Sequence, residues 1–100
     1  MKKFLAIYQA SAESMQQMAN ATQEETEAVM AAWMNWKAAH EENVVDFGAP
    51  LMPGATLGAA TPAGNISGYS VLQAESLEAL KDAFKDHPHQ DTELFPLIDM

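Results

Sequence analysis

The chain has no cysteine and no arginine, and its five lysines face fourteen acidic residues. Without cysteine there is no disulfide framework, which suits a reducing compartment, so a cytoplasmic location is expected. Without arginine there is no planar fork for bidentate capture of a carboxylate or phosphate, and only lysine or backbone N–H groups can substitute. A net charge of −9 repels phosphate backbones and anionic lipid, so neither nucleic acid nor a membrane is an expected partner. Long apolar runs are also missing. The opening "MKKFLAIYQ" offers only "FLAIY" before Gln9, too short for the core of a signal peptide or a membrane span. No internal repeat and no linker composition interrupts the chain, so residues 1–100 are expected to form a single domain.

Apolar residues make up 48% of the sequence, and their spacing is periodic. Residues 2–9, apolar at every position from Phe4 to Tyr8, predict a strand buried on both faces. Residues 10–23 show no strong period and read as a mobile crossover or flap with room for a helical turn. At "TQEE" the signal sharpens: Thr22 and Glu25 form a capping box, and Glu24 sits in the first turn. The helix they open is expected to reach about Asn43, with Val29, Ala32, Trp33, Trp36 and His40 as its buried stripe. Residues 44–51 read as a second strand ending at Gly48, and Pro50 to Gly64 as a long hairpin connection. A third strand follows at 65–74, with Gly68 a bulge or point of close approach. Ser76 caps a second helix whose stripe is Leu77, Leu80 and Phe84, and Pro88 stops it. Residues 93–99 make the last strand, which Pro96 confines to an edge.

The order β-α-β-β-α-β is the ferredoxin-like α+β plan, and right-handed crossovers put strand one beside strands three and four. Two helices cover one face of such a sheet. Strand one nevertheless offers Phe4, Ala6 and Tyr8 to one face and Leu5 and Ile7 to the other. The second face needs a cover, and a second copy packing sheet against sheet supplies it, so a homodimer is expected.

Near the C-terminus "FKDHPHQD" holds two of the three histidines. His87 continues the stripe from Leu77 through Leu80 and Phe84, so its ring should turn inward; His89 follows the proline that ends the helix. Three readings stand for His87: a helix-end cation interacting with the dipole, a proton carrier at a small-molecule site, or a metal ligand with His89 and Asp86 or Asp91. No third ligand has defined spacing, so no structural metal is expected. Topology puts the end of strand one, the start of the first helix, the hairpin, His87 and His89 on one edge of the sheet, and His40 on the other. Tyr8 and Tyr69 can present hydroxyls there, Trp36 a ring, and Asp46 a strand carboxylate. No Ser–His–Asp spacing, phosphate-binding glycine loop or nucleotide fingerprint is present.

The segments "MKKFLAIY", "AVMAAWMNW", "VDFGAPL" with the following "PG", "GYSVLQAESLEAL" and "HPH" together resemble the YCII-related (DGPF-type) domain family, over nearly all the chain except residues 10–23. The resemblance implies a dimeric α+β barrel and enzyme activity that is more often proposed than shown. Relatives of the family's namesake carry a His in the first helix and an Asp before the proline after the second. Here Ala32 or Trp33 stands at the first place and His87 at the second, so no His–Asp pair carries over. The expected function is a cofactor-independent lyase or isomerase acting on a small, uncharged or aromatic organic molecule. His87 would carry the proton, and Tyr8, His89, Trp36, Asp46 and Tyr69 would line the site. The alternative is a non-catalytic small-molecule-binding or scaffold dimer.

Overall fold

The run "KKFLAIYQ" forms strand β1 (Lys2–Gln9), whose pleat buries Phe4, Ala6 and Tyr8 and leaves Leu5 and Ile7 half-buried. The computed structural model describes residues 1–52, 54–62, 64–89 and 91–98. It joins β1 to β2 (Val44–Pro50), β3 (Ile66–Ala74) and β4 (Thr92–Pro96) in one sheet of order β2-β3-β1-β4. Every neighbouring pair is antiparallel. With helices against one face, this is the ferredoxin-like α+β plan, and β1 lies between β3 and β4 as expected. Pro96 sits on edge strand β4, where a residue without an N–H is tolerated. The strand ends at Pro96, short of the expected residue 99: Leu97 and Ile98 lie beyond it, and residue 99 falls outside the described residues.

Two positions bend the ladder. Opposite Tyr8 and Gln9, β3 carries Ser67 as an extra residue, and Gly68 lies in close approach, since a Cβ there would meet the Ala49 carbonyl oxygen at 3.2 Å and the Tyr8 ring at 3.5 Å. Gly48, expected to end the second strand, instead lies within β2. Its φ of +77° is open to glycine, and a Cβ would drive into the Tyr69 carbonyl. The strand therefore continues past it to Pro50 as a bulged edge.

Helix α3 (Leu77–Ala83) begins at Ser76, whose Oγ accepts the Ala79 N–H at 3.1 Å. It buries Leu80 and Ala83, whereas Leu77, expected on the stripe, is 37% exposed. After Ala83 the chain tightens into a 3₁₀ turn (Phe84–Asp86), which turns the buried side toward His87 and leaves Leu77 on the flank. Leu80 joins Phe4, Ala6, Tyr8, Leu72, Ala74 and Trp36 in the core.

The chain between β1 and the long helix holds more regular structure than expected. Helix α1 (Ala12–Ala19) is N-capped by Ser11, whose Oγ accepts the Ser14 N–H at 3.0 Å. None of its residues is buried, which is why no apolar period marks it in the sequence. We expect α1 amides to exchange far faster than those of β1 in a hydrogen-exchange experiment, because exposed helical bonds open locally. Equal protection of the two would show that α1 is held by packing.

Helix α2 (Gln23–Ala39) opens with the expected capping box: Thr22 Oγ1 accepts the Glu25 N–H at 3.1 Å, and Glu25 Oε1 accepts the Thr22 N–H at 3.4 Å. It stops at Ala39 rather than Asn43. Glu41 and Glu42 follow in a 3₁₀ turn, and acidic side chains are unfavourable at the negative end of the helix dipole. Its expected stripe is only partly realised. Trp36 is buried and Trp33 and His40 are half-buried, but Val29 and Ala32 are exposed. The N-terminal half packs against no core residue and leaves Val29 and Met30 more than half exposed; in the C-terminal half Met34, on the outer side, is 50% exposed. This sparse packing fits a radius of gyration of 14.6 Å, larger than the ~13 Å of a compact chain of this length. Among the described residues no helix is long and apolar enough to cross a membrane.

Candidate functional site

Five rings meet where the end of β1, the last turns of α2 and the exit from α3 converge. His87 is 2% exposed and lies nearly parallel to Tyr8 and Phe84, at centroid distances of 5.4 and 4.6 Å. The edges of Trp33 and Trp36 close the other sides at 4.7 and 4.5 Å. The inward turn predicted for His87 is thus what the structure shows. His87 does not extend the α3 stripe as expected, because α3 ends at Ala83; the 3₁₀ turn Phe84–Asp86 delivers it in an extended conformation, the one favoured before Pro88.

Burial dominates the electrostatics of His87. Desolvation holds its pKa down to about 4, against opposing contributions from the His89 carbonyl and Asp86; the nearby imidazoles of His89 and His40 lower it further. The ring is therefore neutral at pH 7. Its Nδ1 accepts the His89 N–H at 2.9 Å, which puts the proton of the neutral ring on Nε2. The His89 carbonyl, 3.0 Å from the same Nδ1, would accept a proton placed there, and so favours the charged form.

Each neighbour is fixed by its own bond. Tyr8 donates its hydroxyl proton to Ser70 Oγ at 2.8 Å, and Ser70 Oγ donates to the Phe47 carbonyl at 2.6 Å. Burial raises the Tyr8 pKa, the Ser70 bond opposing it. Trp36 Nε1 donates to the Ala83 carbonyl at 2.9 Å, joining α2 to the last residue of α3. Trp36→Phe keeps a ring in place and removes this bond, so we expect a loss of about 1–2 kcal/mol in urea unfolding. An unchanged midpoint would mean the clamp contributes nothing. His89, half-buried, donates from Nε2 to the Gln9 carbonyl at 2.6 Å, tying the segment after Pro88 to the end of β1.

Of the residues singled out in the sequence, Tyr8, Trp36, His87 and His89 come together. Asp46 and Tyr69 do not. Tyr69 pairs with Ile7 and Asp46 with Val71, on the sheet face opposite His87, and Asp46 accepts the Gly48 N–H at 2.8 Å. Asp46 thus serves the β2 bulge; the alternation of the strands puts both on the far side. His40, expected on the other edge, also lies near the cluster. Its Nε2 donates to the Asp86 carboxylate at 3.0 and 3.2 Å, because the ends of α2 and α3 meet rather than diverge. Trp33 and Phe84 complete the box. Their helical spacing marked them as apolar stripe residues, but nothing in the sequence distinguished an aromatic box from ordinary core. Among the described residues no three His, Cys, Asp or Glu side chains converge as a metal site would require.

Two surface cavities flank the cluster. The larger, about 590 Å³, lies at the strand ends between Gln9, Ser11, Asn65, Asp91 and Glu93. The smaller, about 280 Å³, lies between α3 and β4 and includes Phe84 and His89. His87 lines neither; the interior beside it is filled by rings.

No protein-family model and no curated protein matches the chain. Among solved structures, the fold is similar to 5-chloro-2-hydroxyhydroquinone dehydrochlorinase (TftG) from Burkholderia phenoliruptrix AC1100, in complex with 2,5-dihydroxybenzoquinone. The TM-score is 0.59 over 98% of this chain and 95% of that one, at 15% identity, a likeness of fold.

Proposed function

We propose that this chain is a cytoplasmic, homodimeric protein of the YCII-related type that acts on a small planar organic molecule without a cofactor, with His87 as proton carrier in an elimination or isomerisation. The observation that carries this reading is a buried imidazole, neutral at pH 7, boxed by four aromatic rings. A neutral ring can take a proton from carbon or hand one to a developing oxyanion, and a low-dielectric aromatic surround strengthens either step. Trp33 is only half-buried and sits on the sparsely packed α2, so a swing of its ring opens the box to a ligand of similar shape. The dehydrochlorinase of like fold, bound to a quinone, supports the same class of ligand.

A second reading, a non-catalytic binding or scaffold dimer, is favoured by the filled box. One experiment separates them. Titration of 2,5-dihydroxybenzoquinone should shift the Trp33 indole signal and the amides of residues 84–89. Chlorinated hydroxyhydroquinones should then be turned over by the wild-type chain and about a hundredfold more slowly by His87→Asn, with His89→Ala milder. Quinone binding with no turnover in either protein would favour the scaffold, and no binding at the box would end the enzyme reading for this ligand class.

A further inference from the structure

The smaller cavity has a composition that neither the resemblance nor the His87 box explains. It is a groove lined by Lys81, Phe84, Lys85, His89, Thr92 and Leu94. Its volume of about 280 Å³ is below the roughly 300–1,000 Å³ of sites that take drug-sized ligands, so it suits a molecule of one ring. Two of the five lysines of a chain with net charge −9 line it, Lys81 from α3 and Lys85 from the 3₁₀ turn that follows, and their exposed side chains form its lip. Their present partners hold them loosely. Lys81 lies 3.6 Å from Glu78 and Lys85 3.0 Å from Asp82, all four side chains being more than half exposed. Exposed pairs of this kind contribute little and yield readily to a better anion. Below the lip, Phe84 and Leu94 offer an apolar floor. At the far end His89 and Thr92 are braced together, Thr92 Oγ1 donating to the His89 carbonyl at 3.2 Å.

We propose that this groove between α3 and β4 binds a small planar organic anion, a carboxylate or phenolate on one aromatic ring, with its ring on Phe84 and Leu94 and its charge at Lys81 and Lys85. The idea rests on the site reading above only in that Phe84 and His89 join the groove to His87, and it adds a negative charge to the ligand class. Benzoate is the probe, with benzamide as its uncharged counterpart and inorganic phosphate as an anion without a ring. In ¹⁵N-labelled protein, benzoate should shift the amides of Phe84, His89, Thr92 and Leu94. The double variant Lys81→Gln/Lys85→Gln should bind it about tenfold more weakly. Benzamide should bind both proteins alike and more weakly than benzoate binds the wild type. Shifts confined to other residues, equal benzoate affinity in the double variant, or phosphate binding as tight as benzoate would each overturn the proposal. Both lysines are exposed, so the variant retains its fold, which the dispersion of the same spectra verifies. His87→Asn should leave benzoate affinity intact, so a failed groove and a failed catalytic reading give different results.

Discussion

Lowering the pH from 7 to 4 is expected to remove about 3 kcal/mol of folding stability through His87 alone. The unfolded chain carries this histidine with its ordinary pKa of 6.5, and the folded chain with one of about 4. Above 6.5 both states are neutral and the group contributes no pH dependence. Between 6.5 and 4 the unfolded state binds the proton and the folded state resists it, so stability falls as pH falls. Below 4 both are charged and the full difference has been lost, at about 1.4 kcal/mol per pKa unit. A small domain has about 5–15 kcal/mol in total, so the effect should be plain in urea unfolding at pH 7, 5.5 and 4. His40, His89 and Asp86 are the titratable and charged groups that act on the ring, and all three remain in a His87→Phe variant, which fills the box without titrating. The wild type should lose stability on acidification by about 3 kcal/mol more than His87→Phe does. Parallel pH profiles for the two proteins would show that His87 is readily charged in the folded state, and would contradict the buried neutral imidazole on which its proposed role depends.

Val71→Asp is expected to turn a dimer into a folded monomer. On the sheet face away from the helices, Leu5 lies between Val71 and Phe95 across the strands, with Ile7 beside Tyr69 in the next row. Phe95 is 41% exposed in the single chain. A second copy laid on this face would bury those side chains, and a carboxylate among them would lose its water without a partner, at a cost of several kcal/mol. In one chain the same position reaches solvent, so the fold survives. Sedimentation equilibrium at micromolar concentration should report a dimer for the wild type and a monomer for the variant, with matching circular dichroism. A monomeric wild type would refute the dimer, and a dimeric variant would place its interface elsewhere. The exposed Val29, Met30 and Met34 on α2 are the next surface to probe.

Sequence reasoning succeeded where one local rule decides the outcome. The capping box at Thr22 and Glu25 and the apolar run "FLAIY" as a strand are each read within a few residues. The order of elements with right-handed crossovers puts β1 between β3 and β4. In the single chain only the Phe4, Ala6 and Tyr8 side of β1 is fully buried. Reasoning failed where the answer depends on what lies opposite. The period of α2 alone predicts a stripe along its whole length, but the core reaches only its C-terminal half, so Val29 and Ala32 face solvent. Helix α1 has no buried face and hence no period to find. The chemistry of Asp46 and Tyr69 suits a site, but strand alternation turns both to the other face. The approach of His40 to Asp86 joins residues 46 positions apart, and no spacing rule reaches that far.

The bonds from Tyr8 through Ser70 to Phe47 have a direction. A serine hydroxyl has one proton, and a carbonyl can only accept, so the proton of Ser70 is committed to Phe47. Ser70 can then only accept from Tyr8, and the phenol proton is committed in turn. Handing that proton to a ligand would break the bond to Ser70 and leave a buried hydroxyl oxygen without its donor. Tyr8 therefore meets any guest in the box as a flat surface and not as an acid. Tyr8→Phe should weaken the sheet without touching proton transfer.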